Sequence, residues 1–289
     1  MLALGKKIYT VYKDQGVKNL MFVIFKRIYQ KKARSFPLIK GIITNKYGIE
    51  IGGPSPVFND NSFLPIYSYI NHLDNCNFSS NTLWNKSLRE GYSYNYHQKK
   101  QEGYQFIQDG INLASIKSDS YDFLLSSHVL EHIANPIKAL HEWKRIIKTN
   151  GYLILLVPHK DGTFDHQRPT TTLDHLIQDY QNDIGEDDLT HLEEILQLHD
   201  FSKDSGSGSY ENFKLRSENN LHNRALHHHV FNTLLLAKLI DYAQMQIQVI
   251  ETIKPMHILL VVQKISTDLL PQNNIHFTSF ESPFPSDQG

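Results

Sequence analysis

Cysteine is almost absent from this chain, which has only Cys76. That excludes an internal disulfide and suits a reducing compartment, so the expected setting is the cytoplasm. Long apolar runs are missing too, and no segment reads as a bilayer span. Residues 20–28 come nearest, but Lys26 and Arg27 interrupt them and no small-residue cleavage site follows, so they do not read as a secretion signal. Neither sign of charge is in excess. Twenty-nine basic residues face thirty acidic ones, for a formal net charge of -1, which argues against nucleic acid as a partner. Two motifs are also missing. There is no Gly-x-Gly-x-x-Gly turn for a nicotinamide cofactor and no His-Glu-x-x-His pair for zinc.

What is present begins with residues 121–158. Phe123, Leu124 and Leu125 read as a strand that runs into Ser126, Ser127 and His128. A helix follows, broken near its start by Asn135 and Pro136. It resumes with Ala139, Leu140, Trp143, Ile146 and Ile147 at helical spacing, stops at Asn150 and Gly151, and gives way to a strand over residues 152–157. Two parallel strands ending in polar residues place His128 and His159 on the edge of the sheet where ligands bind.

Upstream, a strand over residues 47–51 meets Gly52, Gly53, Pro54, Ser55 and Pro56. A second strand is predicted over 67–73, ending at Asp74, and a third over 104–107, ending before Asp109. A helix over 230–242 and strands over 246–251 and 257–263 complete the pattern, an α/β fold with a doubly wound sheet. Glycines after the first strand allow close approach of a ligand. Asp74 stands where a carboxylate accepts both ribose hydroxyls, and Asp109 where one accepts from an adenine amino group.

These residues resemble class I S-adenosylmethionine-dependent methyltransferases of the type 11 group. The resemblance is carried by Glu50-Ile51-Gly52-Gly53, Asp74, Asp109, Tyr121-Asp122, Ser126-Ser127-His128-Val129-Leu130-Glu131-His132, Pro136, Ala139-Leu140, Glu142-Trp143, Arg145-Ile146-Ile147-Lys148 and Gly151. It covers residues 47–158 and implies a Rossmann-like, seven-stranded sheet with a terminal antiparallel strand. By position, Glu50, Gly52 and Gly53 would line the methionine part of the cofactor. Asp74 would take the ribose, Asp109 and Gly110 would flank the adenine, and Ser126, Ser127 and His128 would sit beside the sulfonium. Pro54 and Pro56 depart from the family's further glycines. Each fixes φ and removes an N–H donor, so the turn must take another shape.

The resemblance leaves three stretches unexplained. Residues 1–40 read as a basic amphipathic lead-in, and the helix over 6–34 suits either core packing or a membrane surface. Residues 159–229 are too long for a loop and read as an inserted cap within a domain over 41–266. Residues 267–289 read as a loosely held tail. The cap carries many of the sixteen histidines. His159 and His128 are the candidate bases, with His132 one helical turn further on. His166, Arg168 and His228 suit a polar acceptor such as a sugar, Arg168 and Arg224 holding an acidic group. A second reading has some of these side chains holding a divalent metal. The function expected is methyl transfer to a hydroxyl of a glycan or small polar metabolite. The alternatives are a nicotinamide-dependent oxidoreductase or epimerase, and a non-catalytic binding module of the same fold.

Overall fold

The computed structural model describes residues 31–204, 206–278 and 281–288. The segment 6–34, read above as a basic amphipathic helix, lies almost wholly outside them. Eight strands form one sheet. They are β1 (Tyr47–Ile51), β2 (His72–Asn77), β3 (Gly91–Tyr94), β4 (Gly103–Ile107), β5 (Tyr121–Ser127), β6 (Ile147–Pro158), β7 (Gln246–Ile253) and β8 (His257–Gln263). Their order across the sheet is β3-β4-β2-β1-β5-β6-β8-β7. The five strands from β4 to β6 are parallel, while β3, β8 and β7 pair antiparallel at the two sides.

The helices include α1 (Phe36–Ile43), α2 (Pro136–Ile146), α3 (Leu173–Gln181), α4 (Leu192–Leu198), α5 (Tyr210–Glu218), α6 (Asn220–Asn223) and α7 (Thr233–Tyr242). The central strands are apolar on both faces because both faces are covered. Alternation then divides their side chains between two cores. Leu124, Leu153, Leu155 and Val157 pack with Leu140 and Trp143 of α2 and Leu236 and Ile240 of α7. Phe123, Leu125, Ile154 and Leu156 pack with Ile39 and Ile43 of α1 and with Phe58, Leu64 and Tyr67.

The strand–helix–strand unit forms as expected, with two shifts. Helix α2 starts at Pro136, capped by the Asn135 side chain, which accepts from Lys138 N. It ends at Ile146, and Asn150 and Gly151 lie inside β6 beside a register irregularity rather than before it. The second strand is displaced further. Residues 67–69 form a short 3-10 turn and β2 begins only at His72. The apolar run misleads here because the Tyr67 ring is wholly buried beneath the sheet while its hydroxyl reaches the Glu50 carboxylate. Strand β3, with exposed Tyr92, adds an eighth strand that the apolar pattern does not mark. No α-helix among the described residues follows β1, β2 or β4, so the helical layers are thinner than in an evenly alternating β/α chain.

The parallel strands leave β1 in both directions, with β2 on one side and β5 on the other. The switch point lies between the carboxyl ends of β1 and β5, where open α/β sheets bind ligands. Residues 159–229 hold α3 to α6 and supply Glu186 and Arg224 to the wall of that crevice. The tail returns to the body as well. Phe284 is 3% exposed and stacks on His159 at 3.9 Å between ring centres.

Candidate functional site

A cavity of about 850 Å³ opens at the switch point, within the size range of small-molecule and cofactor sites. Its floor is the set of strand ends. Gly52 follows β1, Asn77 and Phe78 end β2, Asp109 and Gly110 follow β4, and Ser127 and His128 end β5. Residues from outside this set complete the wall, among them Trp84, Val129, His132, Glu186, Arg224 and His257.

Gly52 shows why the turn needs glycine. Its φ is +84°, and a Cβ there would lie 2.6 Å from Val129 Cγ2. Gly53 donates its N–H to Asn75 Oδ1, and its carbonyl accepts from Asn75 and Asn77. Glu50 does not line the cavity. It is fully buried, and Ser55 N and Oγ donate to one carboxylate oxygen while the Tyr67 and Tyr94 hydroxyls donate to the other. Burial pushes this carboxyl up from its ordinary range, and those bonds only partly offset it. Glu50 therefore holds the shape of the Pro54–Pro56 turn from below rather than touching a ligand.

Asp74 is also displaced from its expected role. It is the third residue of β2, not the last, and is absent from the cavity wall. Its carboxylate accepts from Tyr104 N and the Tyr121 hydroxyl and stands 2.8 Å from His72, tying β2 to β4 and β5. Asn77, three residues later, holds the strand-end position. Asp109 reaches the cavity but is not free there. Arg224 donates to it at 2.8 Å and contacts Glu186 at 3.0 Å, closing one side of the crevice. Ser126 is buried behind the wall, while Ser127 lines it.

His128 lies where expected, in the left-handed region at φ +54°. An outlier of this kind at a strand end persists where the surroundings hold it. Its N–H donates to Leu156 O, and its Nε2 is 2.9 Å from Nδ1 of His257 on β8. Burial and the His257 ring push its pKa down to about 3, so the ring is neutral at physiological pH. His132 lines the same wall, edge-on to Trp84, with Nδ1 3.0 Å from Leu226 O. Between them Glu131 turns inward, and burial pushes its carboxyl up to about 7.

His159 does not reach the cavity. It is fully buried, its Nδ1 accepts from Asp161 N, and its Nε2 is 3.1 Å from Asp287 of the tail. The proposed acceptor ligands are also placed elsewhere. Arg168 is 1% exposed and spends its guanidinium on Asp165, Glu194 and the carbonyls of His227 and His228. Four of its five N–H donors are so engaged, and the buried guanidinium does not reach the cavity wall. His228 is buried against Asn220, and His166 pairs with Asp200 outside the cavity wall. Sequence reasoning singled out neither Glu131 nor His257, and it had His227 only as one of the cap's histidines. Glu131 was legible as part of the Leu130–Glu131–His132 run, while nothing local joins His227 to His132 or His257 to His128.

Comparison with known proteins gives one family match and several distant structural neighbours. Residues 83–155 match the family model described as a methyltransferase domain. An uncharacterized protein of Methanocaldococcus jannaschii is 46% identical over 46 residues, 16% of this chain, and the match spans about a fifth (20%) of that protein's length. Among solved structures, a SAM-dependent methyltransferase from Methanosarcina mazei overlaps with a TM-score of 0.46 at 14% identity, covering 79% of this chain and 97% of its own. An S-adenosylmethionine-dependent methyltransferase from Mesorhizobium loti gives 0.45 at 10% identity, over 80% and 98%. An O-methyltransferase family protein from Burkholderia thailandensis gives 0.42 at 10%, over 88% and 61%. The mostly parallel sheet is Rossmann-like, and within it residues 83–155 match a methyltransferase domain, while the glycine turn after β1 lies outside that match.

Proposed function

We propose that the chain transfers a methyl group from S-adenosylmethionine to a hydroxyl of a small polar acceptor, a sugar or glycan unit. The observation that carries this reading is the cavity itself. Its wall includes the Gly52 turn, Asn77, Asp109, Ser127 and His128, the ends of four parallel strands. In this reading the Gly52 turn holds the amino-acid end of the cofactor and Asn77 accepts from a ribose hydroxyl. The loop at Asp109 and Gly110 flanks the adenine. The sulfonium then faces Ser127 and His128.

Methyl transfer from a sulfonium is an in-line displacement, so the first requirement is to hold the acceptor oxygen close to the methyl carbon. As the oxygen–carbon bond forms, the carbon–sulfur bond breaks and sulfur keeps the electron pair. At a pKa of about 3 the neutral His128 ring is too weak a base to keep the proton, so it accepts the hydroxyl's hydrogen bond and orients the oxygen, and the proton passes on to solvent. The acceptor class is supported by the wall beyond His128, where Trp84 offers an exposed ring beside Asn61, Ser62, Thr82 and Asn85. An aromatic face flanked by hydrogen-bonding side chains suits a hydroxyl-rich ring.

Calorimetry with S-adenosylhomocysteine tests the reading. The wild-type chain is expected to bind it, and Gly52→Ala to bind it at least about tenfold more weakly, because its Cβ must push Val129 away from the turn. His128→Ala is expected to keep cofactor binding and to lose turnover about 10²-fold or more. Binding of NADH in place of S-adenosylhomocysteine would favour an oxidoreductase, and binding of neither would favour a non-catalytic module.

A further inference from the structure

We propose that Glu131, His132 and His227 form a site for one divalent transition-metal ion in the wall of the cofactor cavity. This rests on the methyltransferase reading only for its role, not for its existence. One ligand atom of each residue lies within 4.8 Å of the other two, and His132 Nε2 is 3.9 Å from Glu131 Oε1. With metal–ligand bonds of ~2.1 Å at the tetrahedral angle, two ligands stand about 3.4 Å apart. The His132–Glu131 pair must close by roughly half an ångström and the widest pair by up to about 1.4 Å, shifts that side-chain rotation supplies.

Two independent features point to a cation. The first is the carboxylate of Glu131. The residue is 1% exposed, and among the described residues neither of its side-chain oxygens has a hydrogen-bond donor. An uncompensated buried carboxylate is costly, and a cation is the partner that removes the cost. The second is the way the two rings are held. His132 Nδ1 meets the Leu226 carbonyl, and His227 Nδ1 meets the Asp165 carboxylate. Both contacts fix the proton on Nδ1 and leave the Nε2 lone pair for a ligand bond. Metal-bound histidines are held in this manner, by a carbonyl or carboxylate on the far nitrogen. Asp165 is in turn fixed by Arg168, which explains why so large a cation is buried beside the cavity.

A second cluster, His175, His191 and His229, also satisfies the distance criterion. There the Nε2 atoms of His175 and His191 already bond one another at 3.0 Å, and no carboxylate is among the three ligands as Glu131 is in the first cluster. Imidazole and carboxylate together suit zinc, manganese, iron, cobalt or nickel better than magnesium or calcium. Since His132 lines the cavity, an open coordination position would face the acceptor. An ion there would bind the acceptor hydroxyl and ease loss of its proton to solvent, while His128 orients the oxygen.

Metal-free full-length chain titrated with Co²⁺, followed by visible absorption, tests the site. One equivalent is expected to bind. Glu131→Gln and His227→Ala should each weaken it at least about tenfold, and Asp165→Asn, which acts through His227, about 10- to 100-fold. His175→Ala should leave it unchanged. Glu131→Gln preserves side-chain shape and keeps the test usable if His227→Ala fails to fold. Absence of cobalt binding, or binding lost in His175→Ala and retained in Glu131→Gln, overturns the site. S-adenosylhomocysteine affinity measured on the same samples separates the two readings. Cofactor binding without cobalt refutes the metal site alone, and failure to bind cofactor refutes the methyltransferase reading.

Discussion

Glu50 shows how far residue-level reading reaches. An acid two positions before Gly52 was legible as part of a cofactor turn, and it stands beneath that turn. Its role was not legible, because the two phenols that bind it come from positions 67 and 94. Burial raises its carboxyl above the ordinary value of 4.5. A folded pKa above the unfolded one gives stability that is full below 4.5 and is lost as pH rises through the folded pKa. Glu50→Gln removes the titration and still offers Ser55 an acceptor. Urea denaturation at a series of pH values is expected to show the wild type losing stability relative to this variant as pH rises. Parallel curves would remove the ionisation from the account. His159 marks the opposite limit. Its position after a strand was legible, but position alone does not say on which face of the sheet a ring comes to rest, and this one rests under the tail.

At the scale of elements, α2 and the strands beside it were legible because they obey local rules. Apolar residues recur at helical spacing, Pro136 stands at the first turn, and Asn135 caps it. The Asn135 amide also donates to Asp179 O, joining the helix to α3. Asn135→Ala is therefore expected to cost about 1–2 kcal/mol, combining a lost cap with a lost bond to a carbonyl that keeps Ile184 N as its donor. Chemical denaturation checks this, and a loss below about 0.5 kcal/mol would mean the cap is replaced by solvent. Strand β2 was misjudged for the reverse reason. Its residues His72, Asp74, Asn75 and Asn77 are polar, yet Asn75 and Asn77 are buried by the glycine turn that they bond. A strand whose side chains serve a loop carries no alternating pattern.

For the whole molecule, the C-terminal segment reaches furthest in sequence from its partners. Thr233 and Ser282 both donate to Asp287, which also contacts His159. Burial opposes the charge of Asp287, and the contacts with His159, Ser282 and Thr233 outweigh it and hold the carboxyl below its ordinary value of 3.8. A depressed pKa gives stability present above 3.8 and lost as pH falls through the folded value. Asp287→Asn is expected to cost about 1–3 kcal/mol at neutral pH. That difference should close in acid, where both side chains are neutral. Thermal or urea unfolding at pH 7 and pH 3 tests it, and a gap of equal size at both would show that the charge is not the cause.

What the sequence determined by itself is the strand–helix–strand unit and the glycine turn. Each depends on residues close together in the chain, where periodicity, caps and glycine act directly. The tertiary structure decided the rest. It placed Asn77 rather than Asp74 at the crevice, set Arg224 across Asp109, and brought His227 and His257 to His132 and His128. Those pairs are separated by some 95 to 129 positions (His132 to His227, His128 to His257). Only the packing of distant segments decides which of sixteen histidines share a wall, and burial then decides which of them remain neutral.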